Sequence, residues 1–369
     1  MKRYLKLSII RKLPLFVVLS VLLLTVAFTS ASNVEFENES YYYYNSLLPM
    51  SNVGGIISAF FTIMMFLPFF SMNYRYSLGR SDLYRQVAFK DKRIRFAEHF
   101  SSLIIICISF TIALSVMVST LMVRNYVIAK EPDFFLNYIW FIPMYFVCLV
   151  VGAGLYFISY LFVSRCNTFI NSLLVFGLGF IFTSFITLAL LLYVDKDYGF
   201  ANYFIQGPSA IGAISYTTQA FDRLICYNQF FLKYNSDESW NYQVAAFITC
   251  IVEFVALVTL GILAFTLEKD PSSEWAGKPD SNKPYQEIIF HAGFGTIGLF
   301  IGILMSGSIF TTILSMLFYV VYAASYYTLY GLLHRNFKLK GYQFGIIFGI
   351  IGFSIIANIV YVAIHSNYD

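Results

Sequence analysis

A carboxylate inside an apolar run is costly, and this sequence places Glu253 in the stretch CIVEFVALV (250–258). At mid-membrane such a charge costs several kcal/mol unless it is paired, protonated or facing water. Glu253 therefore reads either as a proton-coupling residue or as a polar contact lining a path between helices. Ion-coupled carriers bring further intramembrane ionisable groups and broken helices in matched halves; Glu253 stands nearly alone. The four histidines, His99, His291, His334 and His365, lie near the ends of apolar runs and far apart. They read as interfacial polar tips, or else as ligands or members of a proton relay. The five cysteines have no paired metal spacing and read as small buried hydrophobes, with only Cys226 expected outside.

The motifs for harder chemistry are missing. The sequence contains no Gly-x-x-x-x-Gly-Lys-Ser/Thr phosphate loop, no His-Glu-x-x-His and no Gly-x-Ser-x-Gly. No catalytic residue, metal site or cofactor is expected in this chain.

The elements that would position these groups follow from composition. The chain is 59% hydrophobic and 12% charged, with a mean hydropathy of +0.70, far from the balance of a soluble domain. Apolar runs such as VVLSVLLLTVAF (17–28) and LIIICISFTIAL (103–114) are apolar all round, which excludes the alternating pattern of a β-barrel. The expected fold is an all-α polytopic membrane protein. Its spans are expected at 13–30, 53–72, 100–122, 137–163, 169–194, 242–265, 288–305, 309–332 and 342–365. The basic residues ahead of the first run imitate a secretory signal, but no cleavage site precedes a soluble domain, so it reads as an uncleaved span.

Lys and Arg resist transfer to the outer face during insertion. With the N-terminus inside, 19 of the 24 basic residues fall on the cytoplasmic side, and seven of them lie between the second and third spans. The chain then divides into a six-span core (1–265), a cytoplasmic linker rich in Pro, Ser and charge (266–287), and a C-terminal unit of about three spans (288–369). No internal repeat appears. The outer side carries the tyrosine-rich loop NVEFENESYYYYN (33–45) and a long segment, 195–241. The centre of that segment, 203–231, reads as interfacial amphipathic helices, serving either as anchors or as a lid.

The basic loop SMNYRYSLGRSDLYRQVAFKDKRIRFAEHF (71–100) is the main clue. From Ser81, helical register brings Leu83, Tyr84, Val87 and Phe89 close to one face and leaves Arg80, Arg85, Lys90 and Arg93 elsewhere. Gly79 breaks the preceding helix, and Ser81 and Asp82 are suitable N-caps. The expected product is a short amphipathic helix at the cytoplasmic surface. It would lie on anionic lipid, as a topogenic loop, or dock in a groove of a cytosolic partner.

The segment YRYSLGRSDLYRQVAFKDKRIRFAEH (74–99) resembles the coupling-helix region of ABC-2 type transporter permeases. The inner stretch SSEWAGKP (272–279) is similar to a segment after the sixth span of the Ytr-like permeases of Gram-positive bacteria. The two segments lie in the family's order and bracket the six-span part. The resemblance implies a coupling helix within 73–98, with Arg80, Ser81, Asp82, Leu83, Tyr84, Arg85, Val87 and Phe89 meeting a separate ATPase subunit that binds ATP and magnesium. Arg93, Arg95 and Glu98 would clamp that region to the ATPase or to lipid headgroups. It further implies a second permease copy or paralogue, a bacterial cell-membrane location, and outer helices closing an exit. Additional C-terminal spans also occur in Ytr-like members, and 288–305 with 309–332 form either two spans or one re-entrant hairpin.

Three functions therefore compete. The first is the permease subunit of an ABC exporter for a peptide, antibiotic or lipid-like substrate, with Glu253 as a translocation-path candidate. The second is an ion-coupled carrier using Glu253. The third is a peptide-sensing or immunity protein using Tyr41 to Tyr44. No nucleic-acid partner is expected, because membrane topology explains the basic residues.

Overall fold

A computed structural model of the chain describes residues 2–32, 54–76, 91–128, 138–194, 210–227, 237–267, 283–304, 309–335 and 337–365. The described residues are helical apart from short turns and links. In chain order the helices are α1 (Lys2–Arg11), α2 (Leu13–Ser32), α3 (Gly54–Ser71), α4 (Asp91–Ile128), α5 (Phe141–Val163), α6 (Phe169–Val194), α7 (Ala210–Tyr227), α8 (Asp237–Leu267), α9 (Lys283–Leu304), α10 (Ile309–His334) and α11 (Gly341–His365). A long helix thus stands at each of the nine expected spans.

On their described residues, five segments are long and apolar enough to cross a membrane: Leu13–Ser32, Gly54–Ser71, Arg93–Arg124, Tyr138–Val163 and Cys250–Leu267. The protein is therefore a polytopic all-α membrane protein. Prolines mark several starts. Pro14, Pro143 and Pro284 lie in the first turns of α2, α5 and α9, where a missing N–H costs no intrahelical bond.

The helix at the third expected span differs from its reading. It was expected to begin at residue 100, after a basic loop, but α4 begins at Asp91 and runs for 38 residues, about 57 Å of rise. The charges of RIRFAEH did not end the helix because Arg95 and Glu98 are turned inward and buried.

Helix α5 is the hub of the first six long helices and packs against α3, α6, α7 and α8. Its approach to α8 is close: a Cβ on Gly261 would collide with the backbone carbonyl of Phe157, and one on Gly154 with the ring of Phe254. Small residues permit this contact where burial from water supplies no drive between helices. Phe60 of α3 stacks on Phe110 of α4 at 4.1 Å, and Phe110 on Tyr145 of α5 at 6.0 Å, so three helices share one aromatic layer. The outer faces of α2 and α8 are mostly uncovered, and exposed Val17, Val21, Val252 and Val255 fit contact with hydrocarbon.

The last three long helices attach mainly through α9, which lies along α6 and also packs against α10 and α11. A Cβ on Gly293 would lie 2.6 Å from the carbonyl oxygen of Leu178. The α6–α9 seam is therefore another backbone-to-backbone approach. Rising about 33 Å and 39 Å, α9 and α10 are each the length of a bilayer core.

Candidate functional site

The basic segments converge on one end of the molecule. Lys12 reaches the start of α4, Arg75 the end of α5, and Gln286 donates to the Arg165 carbonyl at 3.4 Å. Asn171, beside Gln286, donates to the Leu333 carbonyl at 3.0 Å, next to Arg335. This shared end is the arrangement that the Lys and Arg distribution anticipates.

Two sets of buried contacts flank residues 77–90. On the α3 side the chain leaves through a 3-10 turn, Asn73–Arg75. Arg75 is 3% exposed, and its Nη1 donates to the Ser164 carbonyl at 2.6 Å. A guanidinium thus caps the last turn of α5, where unpaired carbonyls favour a cation.

On the α4 side the contacts form a network. Lys12 Nζ lies 3.0 Å from Glu98 Oε2 and donates to Ser101 Oγ at 2.8 Å and Ser102 Oγ at 2.7 Å. It also donates to the Glu98 carbonyl at 2.5 Å. The ammonium's three protons are therefore fully engaged. Burial pushes Lys12 below the ordinary lysine range, and Glu98 pulls it back up. Desolvating two such ions costs several kcal/mol each, so the pair is tolerated because its geometry and hydrogen bonds offset that cost.

Hydroxyls extend the network across the bundle. Ser8 and Ser101 share a 2.8 Å hydrogen bond, Ser71 of α3 donates to Ser102 at 2.9 Å, and Tyr156 of α5 donates to Ser71 at 3.3 Å. His99 Nδ1 is hydrogen-bonded to the Tyr156 hydroxyl. The imidazole packs edge-on against Tyr160 at 5.0 Å and Phe265 at 5.4 Å, and Arg95 lies over the same Phe265 ring at 5.5 Å. Helices α1 to α5 and the end of α8 are thereby tied together. Arg95 and Glu98 face into the bundle, which replaces the expected contact with a partner or headgroups. His99 is correspondingly a buried inter-helix contact, not an interfacial tip.

A second cluster occupies the same end of the C-terminal unit. Tyr330 donates to Glu287 Oε1 at 3.1 Å, and His334 Nε2 lies 3.8 Å from that oxygen. Tyr326 and His291 Nδ1 are hydrogen-bonded at 2.9 Å. Tyr285 donates to the Leu161 carbonyl at 2.8 Å, so α9 is also bolted to the end of α5. Two of the expected interfacial histidines therefore hold α9 to α10.

The remaining sequence candidates are distributed differently. Arg80, Ser81, Asp82, Leu83, Tyr84, Arg85, Val87 and Phe89 lie outside the described residues, as do Tyr41 to Tyr44, the linker residues 268–282, and 195–209 and 228–236 of the outer segment. Glu253 is half-buried on α8 and has no hydrogen-bond or ion-pair partner among the described residues. At the opposite end from the basic segments, α7 packs against α3, α5 and α8, with Phe221, Leu224 and Ile225 buried. There Arg124 donates to the Ala31 carbonyl.

Among the described residues no group of three His, Cys, Asp or Glu side chains is placed to hold a metal ion, and Cys107, Cys148, Cys166 and Cys250 are free thiols. Sequence reasoning missed the Lys12–Glu98–Ser102–Ser71–Tyr156–His99 network. Its signal was the polar residues at the same end of successive apolar runs. No family model matches the chain, and comparison with curated proteins and with solved structures returned no match.

Proposed function

We propose that the chain is the transmembrane permease subunit of an ATP-driven exporter of the ABC-2 type, oriented with its basic end in the cytoplasm. A separate cytosolic subunit would bind ATP and magnesium and dock on residues 80–89, and a second permease chain would complete the pathway. The observation that carries this reading is the anchoring on either side of 77–90. Arg75 ties the preceding turn to α5, and the Lys12–Glu98 network ties the following helix to α1, α2, α3 and α5. A load on that segment would tilt helices as a body, because hydrogen-bonded, close-packed contacts transmit displacement. An amphipathic peptide, antibiotic or lipid-like cargo fits the apolar helices and the absence of a charged path among the described residues.

Charge reversal tests the docking step. Arg80→Glu with Arg85→Glu is expected to abolish ATP hydrolysis by the purified complex while leaving the amount of membrane-inserted chain unchanged. Undiminished hydrolysis would contradict the proposal.

The carboxyl of Glu253, which has no hydrogen-bond or ion-pair partner among the described residues, favours a second reading, an ion-coupled carrier. In that case Glu253→Gln removes dependence of transport on the proton gradient. An unaffected variant eliminates the carrier.

A further inference from the structure

An apolar groove of about 380 Å³ runs between α6, α9 and α10. Leu173 and Gly177 of α6, Phe294 and Ile297 of α9, and Val321 and Leu329 of α10 form its walls. It opens sideways, where Leu173 and Val321 are exposed. A cavity with this lining does not hold ordered water, because water needs several polar partners. Within a bilayer, the surrounding medium available to fill it is hydrocarbon.

The groove points towards the basic end. Leu329 lies six residues before Arg335, about 9 Å of helical rise, and Leu173 follows the α5–α6 link that carries Arg165. Gln286 and Asn171 hold that link against the end of α10. Arg165, Arg335, Lys338 and Lys340 are all exposed there. Lys340 lies over the Tyr342 ring at 5.9 Å. The nearby carboxylate, Glu287, is turned to Tyr330 and His334. Arg335 has φ 50°, the left-handed position after a helix where glycine is strongly preferred. An arginine at a position that suits glycine is a backbone outlier, and such outliers point to a use for the side chain they carry.

We propose that this wedge is a binding site for an anionic phospholipid, with one acyl chain in the α6–α9–α10 groove and the phosphate held by Arg335, Lys338 and Arg165. Basic pockets between membrane helices recognise anionic headgroups in this way, and a guanidinium matches phosphate oxygens in two-point geometry. The bound lipid would brace the C-terminal helices against α6. The proposal does not rest on the transport reading.

The test is native mass spectrometry of the full chain, purified in mild detergent and incubated with phosphatidylglycerol or phosphatidylcholine. The unaltered protein retains phosphatidylglycerol preferentially. Arg335→Gly, which relieves the left-handed strain, and Lys338→Gln are each expected to lower that retention about fivefold without changing phosphatidylcholine. Gly177→Leu fills the groove from a position where an added Cβ meets nothing within 4 Å, and lowers retention of both lipids. Equal retention of the two lipids by the unaltered protein, or phosphatidylglycerol retention unchanged in all three variants, would overturn the proposal and leave the groove to a helix of another subunit.

Discussion

The two parts of the molecule hold their basic ends together by different physics. In the first part a charged pair, Lys12–Glu98, sits with side chains 12% and 4% exposed at the centre of a hydroxyl network. In the second, amides, tyrosines and imidazoles do the joining: Asn171 to the Leu333 carbonyl, Tyr326 to His291, and Tyr330 to Glu287. A buried ion pair contributes little net stability, but losing one member is severe because the other charge remains without compensation. Single hydrogen bonds of this kind are worth about 1 kcal/mol, somewhat more where the acceptor is a carboxylate such as Glu287, and fail one at a time. The charged end therefore behaves as a rigid clamp around residues 77–90, and the C-terminal joint as a graded one.

The largest expected effect breaks the clamp. Glu98→Gln leaves the Lys12 cation buried without its counter-charge and should destabilise the fold by about 3–5 kcal/mol, seen as a lowered thermal midpoint in detergent. Adding Lys12→Met should recover most of that loss, which a contribution from packing alone would not allow. Next is the α6–α9 seam. With its Cβ 2.6 Å from the Leu178 carbonyl, Gly293→Ala must push two backbones apart, at about 1–3 kcal/mol. Hydrogen exchange should rise in α9 to α11 while α2 to α5 remain protected. Equal loosening of both parts would erase the contrast.

Smaller changes sharpen it. Tyr156→Phe removes the hydroxyl that joins His99 to Ser71 and should cost about 1 kcal/mol. If Tyr156 also matters to transmission, ATP hydrolysis and transport will separate in this variant, with transport lost first. The smallest effect is expected from Gly177→Ala, whose methyl enters open space and whose stability should stay within about 0.5 kcal/mol of the unaltered protein.

Much of the fold was legible because a bilayer allows few solutions. Runs of about 20 apolar residues must be helices, and a long helix stands at each of the runs so marked. The start of α4 was not legible. Arg95 and Glu98 read as surface charge, yet the Lys12 ammonium that engages Glu98 lies 86 residues away in sequence. His99 was misread for the same reason, since its hydrogen-bond partner Tyr156 is 57 positions distant and on another helix. Pairing across helices leaves no periodic mark in a single sequence. Glu253 was correctly placed on an apolar helix, but the described residues cover α8 only in part, and the helical pattern carried no mark of what faces its carboxyl. The α6–α9–α10 groove had no sequence signal beyond small and aliphatic residues such as Gly177 and Leu173.

The central claim is that residues 80–89 receive a load from a nucleotide-hydrolysing partner. The most direct measurement is purification of the full chain from its native membranes in mild detergent, followed by identification of associated soluble chains and assay of ATP hydrolysis. The expected result is a soluble subunit carrying a phosphate loop, with hydrolysis in the complex, both lost when Leu83 and Val87 are changed to Asp while the Lys12–Glu98 clamp remains intact. A chain that purifies alone, or a complex whose subunit and hydrolysis survive those two substitutions, would contradict it.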